Sequence, residues 1–224
     1  MTPAQLVGQD ASHLSEVLIG IRSFEVHREV KADLLALEQS ARQAGFEFHI
    51  ASGYRSFERQ LAIWNNKMSG VRPILDLHSQ PLATEHLSES EKVFAILRWS
   101  ALPGASRHHW GTDFDLYAHN LLPEGTAIAL EPWEYLSGHQ TPFYQWLLEH
   151  AQQWGFFFPY AQDLGGVSPE PWHLSHKLTA HQCLQLTDPK ILQSTLEQTE
   201  ILGRKTILSE LDTLYTQFIA NICQ

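Results

Sequence analysis

The stretch SRHHWGTDFDL, residues 106–116, sets His108, His109, Asp113 and Asp115 around one glycine, and SPEPWHLSH, residues 168–176, adds Glu170 and His173. Imidazoles and carboxylates at this density suit two tasks, holding a metal ion and moving a proton. A hydrolytic zinc site needs three nitrogen or oxygen ligands, an open fourth position, and a carboxylate outside the ligand set to act as base. His108 and Asp115 stand seven residues apart across Gly111, and His173 comes from a separate segment with Glu170 three residues before it. Pro171 and Trp172 hold that second pair at a stiff, packed strand entrance. Each half is a weak signal alone, because the His-to-Asp spacing recurs by chance and Glu-x-x-His is a common helix-surface pair. Read without chemistry, residues 106–116 are a solvated loop followed by a strand with a polar open face.

A third element strengthens the signal: SGYRS at 52–56 presents Arg55 from a tight corner after a strand, ahead of both other blocks. In this order SGYRS, SRHHWGTDFD and EPWH resemble the zinc D-Ala-D-Ala carboxypeptidase and dipeptidase family, the LAS-type or VanY-type peptidases, which carry S-G-Y-R-S, S-x-H-x-x-G-x-A-x-D and E-x-W-H. The resemblance spans roughly residues 30–177 and leaves the C-terminal segment without a counterpart. It implies one zinc ion held by His108, Asp115 and His173, and Glu170 as the general base that activates water. It also implies that Arg55 faces the substrate carbonyl or its terminal carboxylate, and that Ser106 hydrogen-bonds the substrate backbone. Gln60, on the helix after the corner, is a further candidate for substrate binding. The implied substrate is a peptidoglycan-derived peptide cut before its C-terminal D-alanine, with D,D-carboxypeptidase, L,D-carboxypeptidase and dipeptidase activity all open.

One position departs from the motif, since the family's alanine is Asp113 here. Strand alternation puts Asp113 on the face of Asp115, where it orients a ligand histidine, competes for the metal, or meets solvent. His109, next to His108, is read as a non-ligand, and Tyr54 and Trp172 as packing residues.

The elements that must position these groups read as α+β. Leu34, Leu37, Ala41 and Ala44 recur at helical spacing before Gly45, and FEFHIAS alternates as a half-buried strand. SFERQLAIWNNK is a helix capped by Ser56. Residues 69–105 are broken by Gly70, Pro73, Pro81, Pro103 and Gly104, and read as a long surface excursion with one helix at SESEKVFAILRW. TDFDLYA alternates as a strand, TPFYQWLLEHAQQWG is an amphipathic helix ending at Gly155, and FFFPY and PWHLSHK are short strands. Without regular βαβ alternation, the expectation is a small antiparallel sheet with helices packed on it, as the resemblance also implies. The expected division is a zinc peptidase domain over 1–180, its core at about 26–177, and a helical segment over 181–224 packed on the same domain. That segment starts its helices at Asp188 and Pro189, carries Ile207, Leu211, Leu214 and Phe218 on one face, and is divided by Gly203.

Composition serves mainly to exclude. With 15 Lys and Arg against 25 Asp and Glu, the net charge of −10 leaves no broad basic face for nucleic acid. There is no apolar run long enough to span a membrane, and no basic, apolar leader at the N-terminus, so the expected compartment is the cytoplasm, or the periplasm if a leader was removed. Cys183 and Cys223 fit no metal spacing and read as ordinary thiols. Oligomeric state is left open. Two rival functions remain. Hedgehog signalling domains resemble the same fold and keep a zinc site without turnover, so a zinc-stabilised binding module is one; a free carboxylate base and Arg55 argue against it. A glycosidase using Asp113 and Glu170 is the other, and it leaves the histidines unexplained.

Overall fold

The computed structural model describes residues 1–224. The chain opens with a short helix α1 (Pro3–Leu6) and a hairpin of β1 (Leu14–Ile19) and β2 (Arg22–His27), followed by α2 (Lys31–Gln43), β3 (Phe48–Ser52) and α3 (Phe57–Met68). The Ser56 hydroxyl caps α3 by accepting from Arg59 N. Next come α4 (Glu89–Leu97), a 3-10 turn at Arg107–Trp110, β4 (Asp113–Ala118), α5 (Pro132–Leu136), α6 (Thr141–His150), β5 (Phe156–Phe157) and β6 (His173–His176). Four more helices complete the chain: α7 (Lys177–Leu186), α8 (Pro189–Glu197), α9 (Arg204–Ser209) and α10 (Leu211–Leu214), the last running into a π turn at Tyr215–Ile219.

Strands β3, β4, β6 and β5 lie side by side in that order, all antiparallel. Alternation divides the sheet's two faces. Phe48, Ile50, Phe114, Leu116 and Leu174 point into one apolar cluster with Leu34 and Leu37 of α2 and Phe143 and Leu147 of α6. Each such fully buried side chain contributes about 1.5–3 kcal/mol. Asp113, Asp115, His173 and Ser175 therefore fall on the opposite face. A second cluster joins Trp64 of α3 and Val93, Ile96 and Leu97 of α4 to Leu192, Leu196, Ile207, Leu211, Leu214 and Phe218 from the C-terminal helices. On the sheet's polar face, Asp115 and His173 share the wall of one cleft with Ile63 and Lys67 of α3.

Three local differences from the sequence reading have physical reasons. The β1–β2 hairpin is absent from the expected elements, because Leu18 and Ile21 are exposed at its tip and β2 buries only its last two residues fully. Only the first part of residues 69–105 runs over the surface, since α4 buries Val93, Ile96 and Leu97 completely. The C-terminal helices break at Glu210 as well as at Gly203. Both cysteines are free thiols, and no helix is long and apolar enough to cross a membrane.

Candidate active site

Sheet register brings the chemistry together. Asp115 of β4 lies directly across from His173 of β6, and Asp113 across from Ser175. The 3-10 turn before β4 delivers His108 to the same spot and ends on Gly111, whose φ of 68° is left-handed. A Cβ on Gly111 would lie 2.5 Å from Leu14 Cδ2 and 2.9 Å from His27 N, so the N-terminal hairpin is seated against this turn. The hairpin also binds it, His27 N donating to Gly111 O at 2.9 Å. Arg55, on the corner after β3, is tied in by its own N–H to His108 O at 3.2 Å.

The histidine tautomers follow from their outer hydrogen bonds. His108 Nδ1 donates to Gly53 O at 2.9 Å, which leaves Nε2 as a lone pair 3.5 Å from Asp115 Oδ2. His173 Nε2 donates to Asp113 Oδ1 at 2.9 Å, which turns Nδ1 toward Asp115 Oδ1 at 3.4 Å and Glu170 Oε2 at 3.2 Å. One ligand atom from each of His108, Asp115 and His173 lies within 4.8 Å of the others, all buried. Asp115 Oδ1 is buried without a hydrogen-bond donor. Acceptors that converge in this way fit a metal cation, and two imidazoles, one carboxylate and a fourth side facing a cleft fit zinc.

The electrostatics agree. Burial pushes His108 down to about 3, so its imidazole is neutral, the form a metal ligand needs. Burial opposes charge on His173 too, but Asp113, Asp115 and Glu170 outweigh it and raise the group well above 6.5, because three carboxylates gather around this one ring. Asp113 is fully buried, and although burial favours its neutral form, Arg107, His173 and Thr112 hold it low. Arg107 supplies the counter-charge, its Nε donating to Asp113 Oδ1 at 2.8 Å and its Nη2 to Ser175 Oγ at 2.6 Å.

A cleft of about 290 Å³ opens on this centre, with Arg55, Ser106, His108, Asp115, Glu170 and His173 in its wall. Glu170 is held by the turn before β6, its N–H donating to Tyr160 O and its carbonyl accepting from His173 N, both at 3.0 Å. Burial raises the Glu170 carboxyl, the direction that makes a better base. The buried Ser106 hydroxyl lines the cleft without a partner of its own. Arg55 donates to Gln60 Oε1 at 2.8 Å and to Ser52 Oγ at 2.9 Å, with Nη2 3.9 Å from Asp115 Oδ2. Gln60 is fully buried behind Arg55, its amide also donating to Ala101 O, so the structure places it against the arginine and not in the cleft wall.

His109 points away from the centre, bound to Arg55 O at 2.6 Å and accepting from Gly104 N at 3.1 Å. Tyr54 reaches Gly8 O, and Trp172 packs near Trp99 and Tyr135 while also lining the cleft. Sequence reasoning missed Tyr160, whose ring meets the His173 ring edge-on at 4.9 Å. It also missed Arg107, Lys67 and Arg72, of which only Arg107 carried a signal, standing six residues before the unusual Asp113. A larger groove of about 640 Å³ between α6 and the C-terminus contains neither a carboxylate side chain nor a histidine.

A family model described as VanY, D-alanyl-D-alanine carboxypeptidase, matches residues 23–178. The chain belongs to this family. Its membership places it among the peptidoglycan D-Ala-D-Ala carboxypeptidases and dipeptidases. An uncharacterised protein of Haemophilus influenzae is 35% identical over 121 residues, covering 53% of this chain and 92% of the relative. The solved structure of VanYB in complex with D-alanine-D-alanine shares the fold, with a TM-score of 0.53 and 24% identity over 84% of this chain and 89% of the other. A VanY D,D-pentapeptidase variant from a VanB-type resistance cassette, solved in complex with Zn(II), is 26% identical with a TM-score of 0.52, covering 77% of this chain and 85% of that one. This VanY-family chain therefore pairs a carboxypeptidase fold with a buried His–Asp–His set suited to a metal.

Proposed function

We propose that this protein is a zinc-dependent carboxypeptidase that removes a C-terminal D-alanine from peptidoglycan stem peptides. The observation that carries the reading is the convergence of His108 Nε2, the Asp115 carboxylate and His173 Nδ1, with Glu170 beside them and outside the ligand set. A zinc ion held by those three groups would supply Lewis acidity, polarising the scissile carbonyl and making water acidic enough to lose a proton near neutral pH.

The remaining work belongs to the chain. Glu170 takes the proton from the attacking water on a carboxylate oxygen and gives it to the leaving amine. Arg55, immobilised by Gln60 and Ser52, presents its guanidinium where the carbonyl oxygen gains negative charge. Ser106 offers its unpartnered hydroxyl to the substrate backbone, and Asp113 fixes the His173 ring. A binding module of the same fold would need neither Glu170 nor Arg55 in the cleft.

The direct test is metal dependence. Chelation should abolish release of D-alanine from tetrapeptide or pentapeptide stems, and one equivalent of zinc should restore it. Activity that persists in the metal-stripped protein would overturn the reading.

A further inference from the structure

The net charge of the chain is −10, yet its catalytic cleft is lined by Arg55, Lys67, Arg72 and Arg107 against only Asp115 and Glu170. Arg107 is neutralised by Asp113, and Arg55 is committed to the metal centre. Lys67 and Arg72 have no such assignment. Lys67 lies one helical turn after Ile63 on α3, and both line the cleft. Gly70, with a φ of 78°, then reverses the chain, and Arg72 N returns to bond Asn66 O at 2.8 Å. This turn brings Arg72 back toward Lys67. Neither side chain has a carboxylate within ion-pair distance or a hydrogen-bond acceptor in the protein, so the two cations share the cleft mouth unpaired. Burial and the neighbouring Arg72 both disfavour the charge on Lys67, and Glu170 favours it.

Two like charges turned into a cleft, with no protein partner, are complementary to an anion brought by the ligand. We propose that Lys67 and Arg72 form a subsite for a second carboxylate of the substrate, distinct from the terminal carboxylate of the departing D-amino acid. Their position supports this choice. Arg55 and Ser106 sit deep, beside the metal ligands, where a group one residue from the scissile bond must lie. Arg72 is exposed at the mouth, where the rest of the peptide leaves the cleft. The preferred substrate class is then a peptide whose acyl side carries a free side-chain carboxylate. This inference rests on the peptidase reading of the same site, and deepens it.

Matched stem peptides ending in D-alanine, with either L-lysine or its carboxylated analogue meso-diaminopimelate as the diamino acid, differ at that one group. Both are offered to the zinc-loaded wild type and to Lys67→Met/Arg72→Gln, and kcat/KM is measured for each pair. The wild type should prefer the carboxylated peptide at least about tenfold, chiefly through KM, and in the double variant the ratio should fall to near one. An absent wild-type preference overturns the subsite. So does a preference that survives in the double variant, including the case in which both peptides suffer equally because the pair holds the terminal carboxylate. Calorimetric binding of the same two peptides to Glu170→Ala keeps the question separate from turnover. If the wild type cuts neither peptide, the peptidase reading fails, while tighter binding of the carboxylated peptide that depends on Lys67 and Arg72 still upholds the subsite, and equal binding rejects it.

Discussion

Asp113 Oδ1 lies 2.9 Å from His173 Nε2, on the side of the imidazole away from Asp115. A single carboxylate, standing where the family motif has alanine, thus holds the His173 ring with Nδ1 turned toward Asp115 and the proposed metal site. Asp113→Ala should weaken zinc binding by about 10–100-fold, as loss of an outer partner of a metal-bound histidine does. The same change leaves buried Arg107 without its counter-charge and should cost about 3–5 kcal/mol of stability. Arg107→Met combined with Asp113→Ala should recover much of the stability but not the zinc affinity. Competition with a chromophoric chelator and urea denaturation measure the two effects separately.

Arg55 is held by Gln60 and Ser52 and donates nothing to the proposed metal ligands, approaching Asp115 only to 3.9 Å. Arg55→Ala should keep one bound zinc and lose about 100-fold or more in kcat/KM. Gln60→Ala should shift kcat in the same direction by less, because the arginine remains but loses one tether. Unchanged kinetics in Arg55→Ala would remove that residue from the mechanism.

Gly111 combines a left-handed φ with contacts that leave no room for a Cβ. Gly111→Ala should therefore destabilise the fold by at least about 1–2 kcal/mol. Because the turn sets His108, zinc affinity should fall with it. Thermal unfolding of the zinc-free and zinc-loaded variant checks both effects.

His13 is buried beside His27, with ring centroids 5.5 Å apart and neither of its ring nitrogens hydrogen-bonded. Burial first, and His27 second, push it down from 6.5 to about 4. The unfolded chain therefore binds this proton near pH 6.5 while the native chain resists it until about 4, so stability is lost as pH falls through that window. The loss assigned to His13 is about 1–3 kcal/mol. His13→Phe should flatten the difference in urea midpoint between pH 7 and about pH 4.5. An unchanged pH slope in the variant would show that the acid sensitivity lies elsewhere.

Much of the candidate site could be read from residue types, and the reason is local. His108, Gly111 and Asp115 occupy one turn and one strand, and the alternation of TDFDLYA already placed Asp113 and Asp115 on a common face. Which of three roles Asp113 plays depended on the β4–β6 register, which sets it diagonal to His173, and on Arg107 folding back from the preceding turn. Gln60 shows the same limit: its helix was legible, but its burial against Arg55 and Ala101 is a long-range contact. Lys67 lines the cleft from α3 itself, and Arg72 joins it because Gly70 reverses the chain after that helix. The hairpin escaped notice because its exposed Leu18 and Ile21 blur the alternation that its buried Val17, Ile19 and Val26 would otherwise show.

Glu170 lies 3.2 Å from His173 Nδ1 yet outside the His108–Asp115–His173 set, and the role of base proposed for it depends on that separation. The measurement that tests it most directly compares wild type and Glu170→Ala for bound zinc and, by mass spectrometry, for products from tripeptide, tetrapeptide and pentapeptide stems and free D-Ala-D-Ala. Equal zinc in both proteins, with loss of a single D-alanine by the wild type and a rate at least about 100-fold lower in the variant, is the predicted result. Loss of zinc in Glu170→Ala, or D-alanine release at the wild-type rate, would contradict it.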